Sequence, residues 1–152
     1  MSRIPLIIDC DPGVDDAVML MMALASSDLD IRAITTVAGN VPLHLTSRNA
    51  RMMCDLMDRR EVPVYAGCPR PMVRTPVTAE DFHGESGIAG LEPFAPETPL
   101  AEAHAVNALI DMLRAAYRSR VDYVGNWLPE PVHTSIGSEA EEQLELSFSL
   151  ST

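Results

Sequence analysis

Two apolar runs stand close together near the amino terminus, Ile4-Pro5-Leu6-Ile7-Ile8 and Ala17 to Ala25, and everything between them is a turn crowded with acid. That turn, Asp9-Cys10-Asp11-Pro12-Gly13-Val14-Asp15-Asp16, carries four carboxylates. The first run has the length and content of a buried strand, and the second is made of helix-forming residues. Strand, turn and helix in this order commit the chain to an α/β arrangement. They also place the acids at the carboxyl end of a strand, where open α/β sheets bind ligands.

Carboxylates so close repel one another by roughly 1 kcal/mol per pair in water and by more where water is partly excluded, so the cluster needs a proton, a cation or a helix terminus. A hard divalent cation meets that need with oxygen ligands alone. Pro12 and Gly13 shape the loop, one by fixing φ and one by admitting angles and close approaches that a side chain forbids. Asp15 and Asp16 then open the helix at the positive end of its dipole. Singly, each acid has a plainer use: Asp15 as an N-cap, Asp16 as a first-turn acid, Asp9 and Asp11 as turn residues. Together, after a buried strand, they predict a metal or polyol site.

Along the rest of the chain, Asp16 to Ala25 is apolar on nearly every face, which predicts a helix buried on more than one side with its methionines filling core. Leu29 to Val37 predicts a second strand, making a parallel βαβ unit. At its end Ala38-Gly39-Asn40 falls beside the first turn, and the Asn40 amide offers both an acceptor and donors suited to sugar hydroxyls. A helix begins near Leu43, with Leu45, Asn49, Met52, Met53, Leu56 and Met57 at helical spacing and Arg48, Arg51, Asp55 and Asp58 on a solvated face. Val62 to Gly67 predicts a third strand, with Pro63 near its start. The segment from there to Pro99 is a long loop with at most short elements, the kind that is functional or disordered. It holds His83-Gly84-Glu85-Ser86-Gly87. Leu100 to Arg118 regains a helical period, and Val121 to Val124 predicts a fourth strand.

The 152 residues, 47% apolar and 22% charged, suit one globular domain. A net charge of −11 argues against nucleic acid or an anionic membrane as the main partner. An uncharged ligand meets no such barrier. Cys10, Cys54 and Cys68 are odd in number and lack metal spacing, which fits a reducing cytoplasm without a disulfide framework. Neither a secretory signal nor an apolar stretch near the ~18 residues of a membrane span is expected.

The turn Asp9-Cys10-Asp11-Pro12-Gly13-Val14-Asp15-Asp16-Ala17 resembles the opening signature of the inosine-uridine preferring nucleoside hydrolase family. Ala33-Ile34-Thr35-Thr36-Val37-Ala38-Gly39-Asn40 and His83-Gly84-Glu85-Ser86-Gly87 resemble two further stretches of that family, in the same order. The resemblance implies an open, mostly parallel sheet of βαβ units with a Rossmann-like core, and hydrolysis of the N-glycosidic bond of a ribonucleoside to ribose and free base. It implies that Asp11 and Asp16 bind Ca2+ and that Asp11 takes a proton from the attacking water. It also implies that Asp15 and Asn40 hold ribose hydroxyls, that His83 walls the nucleobase pocket and that Asp9 buttresses the turn.

The resemblance runs from about Ile4 to Arg114. The family's T-G-x-L-T-N turn and its long second half, with a further metal-binding Asp and a His beside the leaving base, have no counterpart from Gly125-Asn126-Trp127-Leu128-Pro129 to Thr152. Residues 1–124 therefore read as the amino-terminal part of such a domain and 125–152 as a divergent tail, weakly ordered or out of frame. Codons for Asn126 to Pro129, read one nucleotide later, permit Thr-Gly-Ser-Leu, close to the absent turn. A frame shift near Asp122 to Gly125 is the expectation that sequencing of the gene tests.

A chain truncated in this way is expected to show weak or no activity alone, and exposure of half a sheet leaves a homo-oligomer open. Two other readings stand beside it: a non-catalytic metal- or ribose-binding remnant, and an aspartate-nucleophile phosphatase suggested by Asp9-x-Asp11, which Pro12-Gly13 and Asp15-Asp16 fit badly.

Overall fold

A computed structural model of the chain describes residues 3–119. The expected fourth strand at Val121 to Val124 and the tail from Gly125 lie outside the described residues. Within them the order is β1 (Ile4–Cys10), α1 (Val14–Ala25), β2 (Leu29–Thr36), α2 (Leu43–Leu56), β3 (Val64–Ala66), α3 (Glu80–His83), β4 (Leu100–Ala101) and α4 (Ala105–Ser119). The four strands form one parallel sheet in the order β1-β2-β3-β4, so the α/β class read from the sequence is the one observed.

Parallel pairing of β1 with β2 sets Asp9 opposite Thr35 and Cys10 opposite Thr36, which brings the turn after β1 level with the segment after β2. Ile8, Ile34 and Val64 from the strands, Leu20 and Leu24 from α1, and Ala50, Met52 and Met53 from α2 make the core. Helices α1 and α2 pack on each other and on β2, and α4 rests on β3. No helix among the described residues is long and apolar enough to cross a membrane.

Several elements depart from expectation for identifiable reasons. Helix α1 buries only the stripe Ala17, Leu20 and Leu24, while Val18, Met19 and Met22 face outward, Met22 at 71% exposure. Its methionines are thus not all core filling. The strand expected from Val62 starts at Val64: Pro63 has no N–H to give to a ladder, and its carbonyl instead accepts from Ile34 N–H at 3.0 Å. Leu100 and Ala101, expected to begin a helix, pair with Val64 and Tyr65 as β4, and helix starts only at Ala105.

The charges expected on a solvated face of α2 hold the long loop instead. Arg51 donates through Nε to the Thr98 carbonyl at 2.6 Å and through Nη2 to that of Pro96 at 3.3 Å. Asp55 accepts from the Thr98 N–H at 3.0 Å, the Thr98 hydroxyl at 2.6 Å, the Glu97 N–H at 2.6 Å and Arg60 Nε at 3.1 Å. This clasp delivers the chain to β3 one step before β4 begins.

Candidate functional site

The site lies where β1 and β2 end. Gly13 is the N-cap of α1 and has no side chain with which to cap it, so Val14, Asp15 and Asp16 form the first turn with the acids expected there. The missing acceptor comes from far along the chain: His83, buried at the end of α3, accepts the Val14 N–H through Nδ1 at 3.2 Å. A Cβ on Gly13 would stand 2.6 Å from that same nitrogen, so only glycine lets the imidazole approach. With Nδ1 accepting, the ring proton sits on Nε2 and leaves that nitrogen as the donor.

Asp11 is held from the neighbouring strand end. Its carboxylate accepts the Asn40 N–H at 2.8 Å, and its backbone carbonyl accepts the Asn40 side-chain amide at 3.0 Å. A Cβ on Gly39 would collide with the Asp11 carboxylate, which explains the Gly-Asn pair at this point better than a generic turn does. The Asn40 carbonyl in turn accepts the Ala79 N–H at 2.8 Å, fixing the segment that leads into α3 and His83. Asn40 thus joins Asp11 to the loop carrying His83.

Asp9 lies at the end of β1 and accepts the Thr35 hydroxyl at 2.6 Å, a tie across the sheet. Asp16 accepts the Asp11 N–H at 3.3 Å, closing the turn on itself. Its carboxyl is pushed above the usual Asp range, first by partial withdrawal from water and then by the charges of Asp11 and Asp15; the hydrogen bond from the Asp11 N–H pulls the other way. Asp15 is exposed on the outer side of the same turn. The Cys10 thiol between the acids is pushed far up, by burial first and then by Asp16, Asp9 and Asp11, and stays an inert thiol.

Asp11, Asp16, Asn40 and His83 are therefore linked through the turn, while Asp9 is anchored behind it and Asp15 stands at its rim. Among the described residues no group of three or more His, Cys, Asp or Glu side chains is placed to hold a metal ion. Asp11 and Asp16, two carboxylates brought together by one turn, still form a donor set suited to a hard cation. Asn49 is the site residue that periodicity concealed. Reading it as one more position on the apolar face of α2 passed over the signal, an amide where an apolar residue is due; it is buried and donates to the carbonyls of Pro12 and Ser86.

The family model for inosine-uridine preferring nucleoside hydrolases matches residues 6–125. The inosine-uridine preferring nucleoside hydrolase of Crithidia fasciculata is 42% identical over 109 residues, 71% of this chain and 35% of that protein. The pyrimidine-specific ribonucleoside hydrolase RihA of Escherichia coli is 42% identical over 113 residues, 73% of this chain and 36% of that protein. Among solved structures, the purine-preferring ribonucleoside hydrolase of Gardnerella vaginalis superposes with a TM-score of 0.69 at 30% identity, covering 74% of this chain and 37% of that one. The chain thus spans about a third of the length of the relatives it matches. The acid turn, the Gly39-Asn40 lock and the His83 loop fall inside the matched region, and with that match the chain belongs to the inosine-uridine preferring nucleoside hydrolase family.

Proposed function

We propose that this chain carries the acid and sugar-binding part of a ribonucleoside hydrolase site, acting on a glycosidic bond rather than on a phosphate ester. The observation that carries the reading is the lock between Asp11 and Asn40, which fixes a carboxylate beside a second acid and a buried imidazole at one end of a parallel sheet. In this reading Asp11 is the base that takes a proton from the attacking water, and Asp11 and Asp16 hold Ca2+. When bound, the ion supplies charge that lowers the pKa of water and offsets the repulsion between the two acids. Asp15 and Asn40 hold ribose hydroxyls, and Asp9 keeps the strand end rigid through Thr35. His83 lines the base side of the pocket with its Nε2–H as donor.

Hydrolysis also needs an oxocarbenium-like transition state stabilised and the departing base protonated. Two Asp side chains supply about three oxygens against the ~6 to 8 that calcium takes, so the 152-residue chain binds the ion weakly and turns over slowly or not at all. The same shortfall of ligand oxygens favours a second reading, in which these residues bind metal or ribose without catalysis. Free thiols at Cys10, Cys54 and Cys68 suit a reducing cytoplasm.

Base release from inosine and from uridine, measured with added Ca2+ beside calorimetry of Ca2+ and ribose binding, tests both readings. The expected result is weak Ca2+ binding, lost in Asp11→Ala, with little or no base release. Robust turnover abolished by Asp11→Ala would overturn the weak-activity expectation. Absence of any Ca2+ or ribose binding by the folded chain would overturn the site assignment itself.

A further inference from the structure

Asn49 is a fully buried amide on α2 whose side-chain polar atoms are all hydrogen-bonded. Its Nδ2 donates to the Pro12 carbonyl at 3.1 Å and to the Ser86 carbonyl at 2.9 Å, so both amide protons are used on two different loops. Its Oδ1 accepts from Arg48 Nη2 at 3.1 Å and Nε at 3.4 Å. The same Arg48 Nη2 also reaches the Ser86 carbonyl, at 3.1 Å. Pro12 sits between Asp11 and the N-cap of α1, and Ser86 lies just beyond His83 on the loop that supplies the cap.

We propose that Asn49, seconded by Arg48, is a positioning residue that sets the spacing between the acid turn and the His83 loop. Neither loop has a regular ladder to fix it at this point, and the Pro12 residue has no N–H of its own with which to bind its neighbour. A buried amide that donates to one carbonyl from each loop fixes both at once. Aspartate has nearly the same shape but offers acceptors to two carbonyls, and alanine leaves both carbonyls buried without a donor. The Val14 N–H to His83 bond lies immediately beyond this junction and reports on it. The use of the spacing, to present Asp11, Asp16 and His83 to one ligand, rests on the ribonucleoside reading; the brace itself does not.

The test uses the full chain and its Asn49→Asp and Arg48→Ala variants. Amide hydrogen exchange is read at Val14 and at Ile34, whose N–H is bonded inside the sheet, together with the 15N resonances of the His83 imidazole and calorimetry with Ca2+. In Asn49→Asp, Val14 exchange rises tenfold or more while Ile34 holds, His83 loses its single Nε2–H tautomer and Ca2+ binding weakens at least tenfold. In Arg48→Ala the same changes appear at about threefold. Unchanged Val14 exchange and an unchanged imidazole in folded Asn49→Asp overturn the proposal, as does equal acceleration at Val14 and Ile34, which marks a purely global effect. Should Asn49→Asp not fold, Arg48→Ala decides by the same readings. A wild-type chain that binds no Ca2+ defeats the ribonucleoside reading alone, because exchange and tautomer still judge the brace.

Discussion

Two aspartates, Asp16 at the start of α1 and Asp55 near the end of α2, are treated in opposite ways. Asp55, at the carboxyl end of α2 and with its side chain only 6% exposed, receives donors from Thr98, Glu97 and Arg60. Withdrawal from water is the largest single influence on its carboxyl and acts upward. The Thr98 hydroxyl, the two backbone N–H groups and Arg60 together outweigh it and hold the group below the usual Asp range. Asp16 has one backbone donor, two acidic neighbours and a carboxyl held above that range. An acid surrounded by donors is a structural fastener. An acid surrounded by acids keeps its repulsion uncompensated, the electrostatic state that the calcium reading calls for.

The largest expected effect comes from cutting the fastener. Asp55→Ala removes the acceptor for the Glu97 and Thr98 N–H groups and for the Thr98 hydroxyl, which is buried. Losing bonds to a charged acceptor and stranding their donors costs roughly 3 kcal/mol, read as a lower urea midpoint. The pH dependence has a definite sign. A carboxyl with a lowered folded pKa stabilises fully above its unfolded value, near 3.8, and loses that contribution as pH falls through the folded value. Wild type should therefore lose stability in that acid window and Asp55→Asn much less. Equal acid sensitivity of the two would remove Asp55 from the fastener class.

A smaller effect tests how tightly the other aspartate region is built. Gly39→Ala places a methyl against the Asp11 carboxylate, so the strand end, Asp11 or both must shift. Overpacking of this kind costs about 2 kcal/mol. The turn is expected to move with it, so the Asn40 amide, bonded to Asp11, should show a large chemical-shift change while Val64 in β3 does not. A stable Gly39→Ala chain with unshifted Asn40 would mean that Asp11 is free to rotate away, and that the lock is looser than its distances imply.

The sequence disclosed the acid region far better than the fastener. Apolar runs and the placement of acids after a strand are local, so β1, α1 and β2 and the grouping of Asp11 with Asn40 could be read directly. The clasp could not, because Arg51 and Asp55 look like any solvated charges on a helix until Thr98 is brought to them from more than 40 residues away. β4 was hidden for the same reason: Leu100-Ala101 has helical composition, and pairing with β3 arises from the clasp rather than from propensity. His83 was found by its motif, but its use as a distant cap for α1 was not. That role comes from the absence of a side chain on Gly13, whose other cause, room for the imidazole, is a tertiary fact.

The smallest effect is the sharpest test, because its sign differs between the two regions. Asp16→Asn keeps an oxygen for the Asp11 N–H and removes one negative charge from beside Asp11 and Asp15. A carboxyl whose folded pKa is raised binds its proton more tightly in the folded state, so its ionisation costs stability at neutral pH, and the cost fades as pH falls through the folded value toward the unfolded one. Asparagine never incurs it. Because the group is partly exposed and solvent screens the repulsion, the gain for the metal-free variant at pH 7 is about 0.5 kcal/mol, shrinking toward zero near pH 4. Ca2+ should reverse the ranking: on the calcium reading the ion stabilises wild type through mass action and leaves Asp16→Asn nearly unmoved. Urea melts of both chains at pH 7 and pH 4, with and without Ca2+, read all of these differences. If Asp16→Asn is destabilised at pH 7 without metal, as Asp55→Asn is expected to be, then the acid turn is a second fastener and its frustrated charges are not waiting for a ligand.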